Sequence, residues 1–233
     1  MNLEEYIVKC ITIFSSLNNW KMLLEGAMIS LLVAALAWLI GMILGVIGAA
    51  CKLSKSKILR FISNVYVELV RGTPMLLQIL MFYLVLPTVV TIFTGRPFRV
   101  NKLVVGILAI GINSGAYCTE LIRSGIMGID NGQWEACKAL NLNYVQTMRF
   151  VILPQAFKQV VPPLVSEFIT LIKDSSLLST IGVMDLLFKA QITGSNYYNY
   201  LPPLLMASCM YLVMTFVVSF VAKKVERRLA ESD

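Results

Sequence analysis

Histidine is absent from this sequence of 233 residues, and charged residues make up only 14% of it. The lack of histidine removes the commonest general base and a frequent ligand of zinc and iron. The five cysteines show no C-x-x-C spacing, which is the usual pattern of a structural metal or redox site. We therefore expect no catalytic residue, no metal site and no cofactor bound by this chain.

Apolar residues dominate what is present. They make up 58% of the chain, against roughly 45–50% in an average soluble domain. The net charge of +7 could indicate a nucleic-acid partner, but the basic residues lie in short clusters at the ends of apolar runs. The sequence therefore favours lipid as the surrounding medium and no nucleic acid as partner.

The apolar runs predict an all-α membrane protein. A bilayer core about 30 Å thick needs about 20 apolar residues per helix, and that length predicts five transmembrane helices in one domain, 1–233. A polar stretch, 123–154, separates the third helix from the fourth. The predicted spans are 22–50, 58–90, 102–122, 155–172 and 201–221.

Glycines and a proline mark two special places within these spans. Gly41, Gly45 and Gly48 lie on nearly one face of the first predicted helix, which predicts close approach of another helix. Thr73 and Pro74 interrupt the second span and are a suitable N-cap and first-turn pair. We expect a broken helix there, with a new half-helix starting at Thr73 and exposing its N–H groups.

Basic residues predict the orientation in the membrane. Two dense clusters, 52–60 and 223–228, fall on the same side if there are five spans, and positive loops face the cytoplasm. The amino terminus is then outside and the carboxyl terminus cytoplasmic. Three basic residues within 96–102 oppose this assignment. The first cluster, here named the basic cluster, consists of Lys52, Lys55, Lys57 and Arg60, and the second of Lys223, Lys224, Arg227 and Arg228.

The segment 132–154 predicts two short helices in water. Its first part is rich in helix formers, Asn141 suits the left-handed turn that closes a helix, and Pro154 is expected to end or bend the second helix. Small residues beside large ones give the first helix the shape of a plug for a groove on another protein. An amphipathic connector on the membrane surface is the alternative. The residues considered for docking are Gly132, Trp134, Glu135, Ala136, Cys137, Ala139, Leu140 and Asn141.

The same segment resembles the EAA loop of ABC-importer permeases. That loop reads Glu-Ala-Ala, three residues, Gly, nine residues, Ile, one residue, Leu-Pro, and the spacing from Glu135 to Pro154 matches it throughout. Cys137, Asn141 and Val151 replace Ala, Gly and Ile with residues of similar size or turn preference. The segments 68–74, 113–117 and 173–177 are similar to those of polar amino-acid permeases.

This resemblance implies a type I ABC-importer permease for a polar or charged amino acid. It implies a pair of permeases bound to two ABC ATPase subunits and served by an extracytoplasmic binding protein. For the pair, we favour two copies of this chain over this chain with a sister permease. The loop around Glu135 would be the coupling element that enters a cleft on the ATPase. The chain has no G-x-x-x-x-G-K-[ST] phosphate loop, so ATP and Mg²⁺ are expected on the partner.

Polar residues within the apolar spans are candidates for the substrate pathway. Arg71 could bind a carboxylate, and acidic groups such as Glu167 could bind an ammonium group. Several candidates have a structural alternative: Glu68 with Arg71 and Glu120 with Arg123 are pairs on one helical turn. Asp174 could pair with its neighbour or cap a turn, and Gln78 could bridge helices. The candidates are Glu68, Arg71, Thr73, Gln78, Asn113, Tyr117, Glu120, Glu167 and Asp174.

Two other classes of membrane protein remain as alternatives. An intramembrane enzyme would need a nucleophile and an activating base on facing helices, and the sequence offers no histidine for that base. A channel would need pore rings, and the sequence has no filter signature.

Overall fold

The computed structural model of the chain describes residues 3–230, and all regular elements within them are helices. The side chain of Arg228 lies outside the described residues. The α-helices are α1 (Leu3–Ser15), α2 (Leu17–Leu53), α3 (Lys57–Arg71), α4 (Met75–Leu80), α5 (Leu86–Thr94), α6 (Lys102–Met127), α7 (Asn131–Ala139), α8 (Tyr144–Thr147), α9 (Leu153–Asp174), α10 (Leu186–Tyr197) and α11 (Leu201–Ala230). Two π-helical segments, Met81–Val85 and Met148–Ile152, and a 3₁₀ helix, Ser175–Ile181, lie between them.

Four helical stretches in the described residues are long and apolar enough to cross a membrane. They coincide with the first, third and fifth predicted spans and with the second half of the second. The fourth predicted span lies inside α9, which is long enough but is not among these four. The crossing stretches are Leu17–Leu53, Met75–Thr94, Lys102–Met127 and Leu201–Lys224.

The predicted break in the second span is present, but its geometry differs from the expectation. α3 ends at Arg71 with Gly72 as its C-cap, and α4 begins at Met75 after Pro74. The Thr73 hydroxyl donates a hydrogen bond of 2.9 Å to the Leu69 carbonyl. Thr73 therefore turns back to the preceding helix, and the expectation that it caps the next helix is wrong.

The chain divides into two compact units. The first consists of Met1–Ala37, Pro74–Ile110 and Ile169–Val217. The second consists of Trp38–Thr73, Gly111–Phe168 and Val218–Asp233.

The first unit is held together around the start of α2 and α10. The helix is interrupted between α1 and α2. The Asn19 side chain bridges this interruption by donating a hydrogen bond of 3.0 Å to the Ile13 carbonyl. A Cβ at Gly26 would lie 2.8 Å from the Leu186 Cα, so this close packing requires a glycine. The buried core of this unit comprises Ile13, Leu23, Ala27, Leu186, Ala190, Met206 and Ala207.

The second unit contains the predicted glycine seam. A Cβ at Gly41, Gly45 or Gly48 would lie 2.7, 2.4 or 2.2 Å from an α6 side-chain atom. The three α6 partners, in the same order, are Ser114, Cys118 and Thr119. The predicted packing of a second helix against this face is therefore confirmed.

Hydrogen bonds from buried and partly buried side chains fix α3 and α9 in the same unit. The Ser63 hydroxyl donates to the Gly48 carbonyl at 2.9 Å, and the Tyr66 hydroxyl donates to the Ile112 carbonyl at 2.6 Å. The Trp38 indole N–H donates to the Leu164 carbonyl at 3.2 Å. Since these side chains bond to the backbone of neighbouring helices, they fix the helix register without an ion pair.

Candidate coupling loop and polar cavity

Local capping interactions define both ends of α7, the first helix of the candidate coupling loop, which lies between α6 and α9 and is therefore shorter than the predicted 123–154. The Asp130 carboxylate accepts a 2.7 Å hydrogen bond from the Gly132 N–H at the start. At the end, Asn141 has the predicted left-handed conformation, with φ of 54°. The Leu142 N–H donates to the Cys137 carbonyl at 3.0 Å and the Asn141 N–H to the Lys138 carbonyl at 3.0 Å. These two bonds form a Schellman motif, which satisfies the last carbonyls of the helix.

One face of α7 packs on the protein itself. Cys137 is buried, and the Trp134 ring packs on a core cluster that contains Ile126 and Ile152. Ile126 belongs to α6 and Ile152 to the π-helical segment before α9, so Trp134 ties α7 to both. Cys137 is buried in the permease itself and Trp134 is partly buried, so both side chains hold α7 in place, and their part in docking on the ATPase stays a prediction.

The other face of α7 is exposed. Glu135, Ala136 and Ala139 are all exposed, and Leu140 retains 74% of its surface. A charged side chain beside two small residues and one large apolar residue leaves a shape that can enter a groove. Gly132 and Asn141 are exposed as well, at the two ends of the helix.

The return from α7 to α9 is also fixed locally. Asn143 and Gln146 form a reciprocal capping box at the start of α8. Pro154 does not end the second helix: it lies in the first turn of α9, directly after the π-helical segment, and the helical backbone continues through it. The Gln155 amide donates to the Gln133 side chain at 3.1 Å, which ties the start of α9 to α7.

Three of the predicted pathway residues meet at a cavity of about 370 Å³, here named the polar cavity. It is lined by Glu68 and Arg71 at the end of α3, by Tyr117 of α6, and by Val67 and Gly72. The Arg71 guanidinium lies 5.1 Å from the centre of the Tyr117 ring, which is a cation–π distance. Arg71 thus has an aromatic partner from another helix, and all three side chains keep contact with the cavity.

Asn113 and Glu167 lie on α6 and α9 of the same unit. The Ser114 hydroxyl, fully buried, donates a 2.9 Å hydrogen bond to the Glu167 carboxylate. Asn113 is almost fully buried. Ser114 was not predicted as a pathway residue, although it lies inside the 113–117 segment. A serine hydroxyl in one apolar helix can bond to an acidic side chain on another, and that signal could have identified Ser114.

Glu120 has a structural role in this conformation. It accepts hydrogen bonds from Arg123 at 2.6 Å and from Lys52 at 2.7 Å. The predicted pairing with Arg123 is present, whereas Lys52 had been considered only as a topology signal. Two cations already neutralise Glu120, so it is a weaker candidate for binding a solute ammonium group.

Gln78 and Asp174 belong to the other unit. Gln78 is half-buried in α4. Asp174 is the last residue of α9 and the N-cap of the following 3₁₀ helix, but its side chain makes no capping hydrogen bond. The capping alternative for Asp174 is therefore wrong.

Comparison with known proteins identifies the family. Residues 39–231 match the family described as binding-protein-dependent transport system inner membrane component. A relative named as a glutamine transport system permease protein, GlnP, of Rickettsia prowazekii (strain Madrid E) is 37% identical over 89% of this chain and 92% of its own length. The arginine transport system permease ArtQ of Bacillus subtilis (strain 168) is 38% identical over 91% of this chain and 94% of its own length.

Solved structures agree with this assignment. An amino acid ABC transporter crystallised with histidines is 35% identical, with a TM-score of 0.85 over 93% of this chain and 98% of that chain. The inward-facing methionine ABC transporter MetNI is 18% identical, with a TM-score of 0.72 over 92% and 99%, and therefore supports the fold alone. The chain belongs to the family of binding-protein-dependent transport system inner membrane components, and is a permease subunit with the type I ABC-importer fold rather than an enzyme.

Proposed function

We propose that this chain is the permease of an ABC importer for a polar or charged amino acid. The observation that carries the proposal is the polar cavity, where Glu68, Arg71 and Tyr117 meet in a chain of mostly apolar side chains. A zwitterionic solute needs both an anion and a cation as partners, and this cavity offers both. The relatives named for glutamine and arginine transport support the same solute class.

The solute pathway passes the polar cavity and the buried polar groups of the same unit. In this proposal Arg71 binds the α-carboxylate, and Tyr117 orients the Arg71 guanidinium through its ring. Asn113 and Glu167 are further pathway residues on α6 and α9, and Glu68 offers a carboxylate to the ammonium group. Thr73, Gln78, Glu120 and Asp174 are retained as pathway candidates without a distinct role.

The exposed face of α7 couples this pathway to ATP. Glu135, Ala136, Ala139 and Leu140 form the surface that enters the ATPase, and Gly132 and Asn141 bound it. Trp134 and Cys137 act indirectly, because they hold α7 against the core of the permease. Motion of the ATPase would reach α6 and α9 through that packing.

The working assembly has two ATPase subunits, which bind ATP and Mg²⁺, and a second copy of this chain. A separate binding protein delivers the amino acid on the extracytoplasmic side. The whole chain acts as one permease domain in the cytoplasmic membrane, with its amino terminus outside and its carboxyl terminus inside. The basic cluster, Lys52, Lys55, Lys57 and Arg60, then faces the cytoplasm.

Uptake into proteoliposomes tests this function. The permease is reconstituted with its ATPase and binding protein, and each of the common amino acids is offered in radioactive form with ATP on the ATPase side. We expect ATP-dependent uptake of one amino acid or a small group of polar ones. Uptake without ATP, or no uptake of any amino acid by a complex that hydrolyses ATP, would contradict the proposal.

A further inference from the structure

An open cleft of about 680 Å³ lies in the second unit and shares no lining residue with the polar cavity. One wall is a face of α2, formed by Val46, Ala50 and Leu53 at spacings of four and three residues. The second wall is formed by Ile122 and Ile126, one turn apart near the end of α6. The volume falls within the range of roughly 300–1,000 Å³ that is usual for sites of small organic ligands.

The third wall belongs to the coupling loop. Tyr144 of α8 and Met148 of the π-helical segment line it, together with Leu153 at the start of α9. Leu53, Ile122 and Met148 also pack on the core cluster that holds the Trp134 ring. A molecule in the cleft would therefore contact the same side chains that fix α7.

The lining is mostly apolar and contains one cation. Ser54 and the exposed Lys55 belong to it, and Lys55 is the one charged side chain that the described part of the chain contributes to the lining. Lys52, its neighbour in the basic cluster, is already paired with Glu120 at 2.7 Å. The exposed Lys55 is thus the cation that this cleft presents to a ligand.

The place of the cleft along the helices indicates which ligand fits. It lies at the ends of two stretches that can cross a membrane, Leu17–Leu53 and Lys102–Met127. Lipid headgroups lie at such ends, and their acyl chains lie beside the apolar faces. Basic pockets between membrane helices bind anionic headgroups. A protein partner would need contacts for its exposed backbone, whereas an acyl chain needs only the apolar walls.

We propose that this cleft binds an anionic phospholipid, with one acyl chain between α2, α6 and the coupling loop and the phosphate on Lys55. The bound acyl chain supports the side chains on which the Trp134 ring packs. Anionic lipid therefore stabilises the position of α7. This site is independent of the amino acid that the permease carries.

Photolabelling in nanodiscs tests the site. The permease with its ATPase is placed in phosphatidylcholine discs that contain a small fraction of phosphatidylglycerol with a diazirine in its acyl chain. After illumination, mass spectrometry maps the labelled peptides. We expect labels in 46–55, 122–126 and 144–153, and several-fold weaker labelling there by phosphatidylcholine with the same diazirine.

Two variants with matched controls locate the lipid. Ala50→Trp fills the cleft from an exposed position on α2 and should reduce labelling several-fold, while Ile47→Trp, exposed on the same helix outside the lining, should not. Lys55→Gln should reduce labelling by phosphatidylglycerol to the level of phosphatidylcholine. Lys57→Gln, another exposed member of the basic cluster, should leave it unchanged.

Three outcomes would overturn the proposal. Equal labelling by the two lipids that Lys55→Gln does not change would show that no headgroup is recognised. Labelling that Ala50→Trp does not change would show that the chain lies outside the cleft. A cleft that the lipid labels only after the ATPase is removed would show a protein occupant.

Discussion

The coupling loop and the polar cavity hold their exposed side chains in different ways. α7 is fixed at both ends by capping bonds and on one face by Trp134 and Cys137. In the polar cavity, Arg71 is exposed and is held by a ring contact with Tyr117. A rigid element suits the transfer of motion, and exposed polar groups with few constraints can re-form contacts around a solute.

This difference separates stability from transport. Substitutions on the inner face of α7 should lower the stability of the permease first and its coupling as a consequence. Substitutions in the polar cavity should lower transport and leave stability almost unchanged. The following substitutions test that separation, from the largest expected effect to the smallest.

Trp134→Ala is expected to cost about 2–4 kcal/mol in the free energy of unfolding, because it leaves a hole in the cluster of Ile126 and Ile152. Chemical unfolding in mixed micelles measures this loss. Leu140→Ala is the control on the same helix, since Leu140 is 74% exposed and should change stability by less than about 0.5 kcal/mol. An equal loss of unfolding free energy in the two variants would show that the Trp134 face of α7 packs no better than its exposed face.

Arg71→Gln is expected to reduce amino-acid uptake at least tenfold, which corresponds to about 1.4 kcal/mol of lost binding in the pathway. The free energy of unfolding of the Arg71→Gln variant should change by no more than about 1 kcal/mol, which is the contribution of an exposed cation–π contact. Uptake by proteoliposomes and unfolding in micelles are measured on the same preparation. Arg60→Gln, exposed on the same helix but not lining the polar cavity, should transport normally; equal loss in both would argue for a general charge effect.

Asn141→Ala should destabilise the permease by about 1 kcal/mol, because alanine pays more than asparagine for the left-handed conformation at φ of 54°. Asn141→Gly should be neutral or slightly stabilising, because glycine adopts this conformation freely. Thermal unfolding of the two variants, measured side by side, gives the sign of each change in stability. If glycine were as unfavourable as alanine, the Asn141 side chain rather than its backbone would matter.

Tyr117→Phe should have the smallest effect, less than a twofold change in uptake. The substitution keeps the ring over which Arg71 lies and removes only the hydroxyl. Tyr117→Leu removes the ring and should approach the loss seen for Arg71→Gln. A large loss for Tyr117→Phe would indicate that the hydroxyl itself binds the solute.

Features that depend on local sequence could be predicted. The glycine seam follows from the spacing of Gly41, Gly45 and Gly48, and the end of α7 follows from Asn141. The break after Arg71 follows from Pro74, although the turn of Thr73 toward Leu69 does not. Glycine, proline and asparagine restrict the backbone at their own positions, so their effect is visible without a partner.

Features that depend on contacts between distant residues could not be predicted. Lys52 and Glu120 pair across 68 positions, and Ser114 reaches Glu167 across 53. The direction of Trp134 was missed for the same reason, because nothing near it in sequence shows which side of α7 meets Ile152. The helices α1 and α10 were not predicted, because at 13 and 12 residues both are shorter than the roughly 20 apolar residues by which the spans were placed.

The most direct test of the account is the ATPase activity of the complex with Glu135→Ala, an exposed residue on the outer face of α7. Complexes of permease and ATPase in lipid are compared at saturating amino acid and binding protein, with Glu25→Ala, a 68% exposed glutamate in the other unit, as the control. We expect Glu135→Ala to abolish the stimulation of ATP hydrolysis while the permease remains folded, and Glu25→Ala to keep it. Full stimulation in the Glu135→Ala complex, or an equal loss in the Glu25→Ala complex, would contradict this expectation.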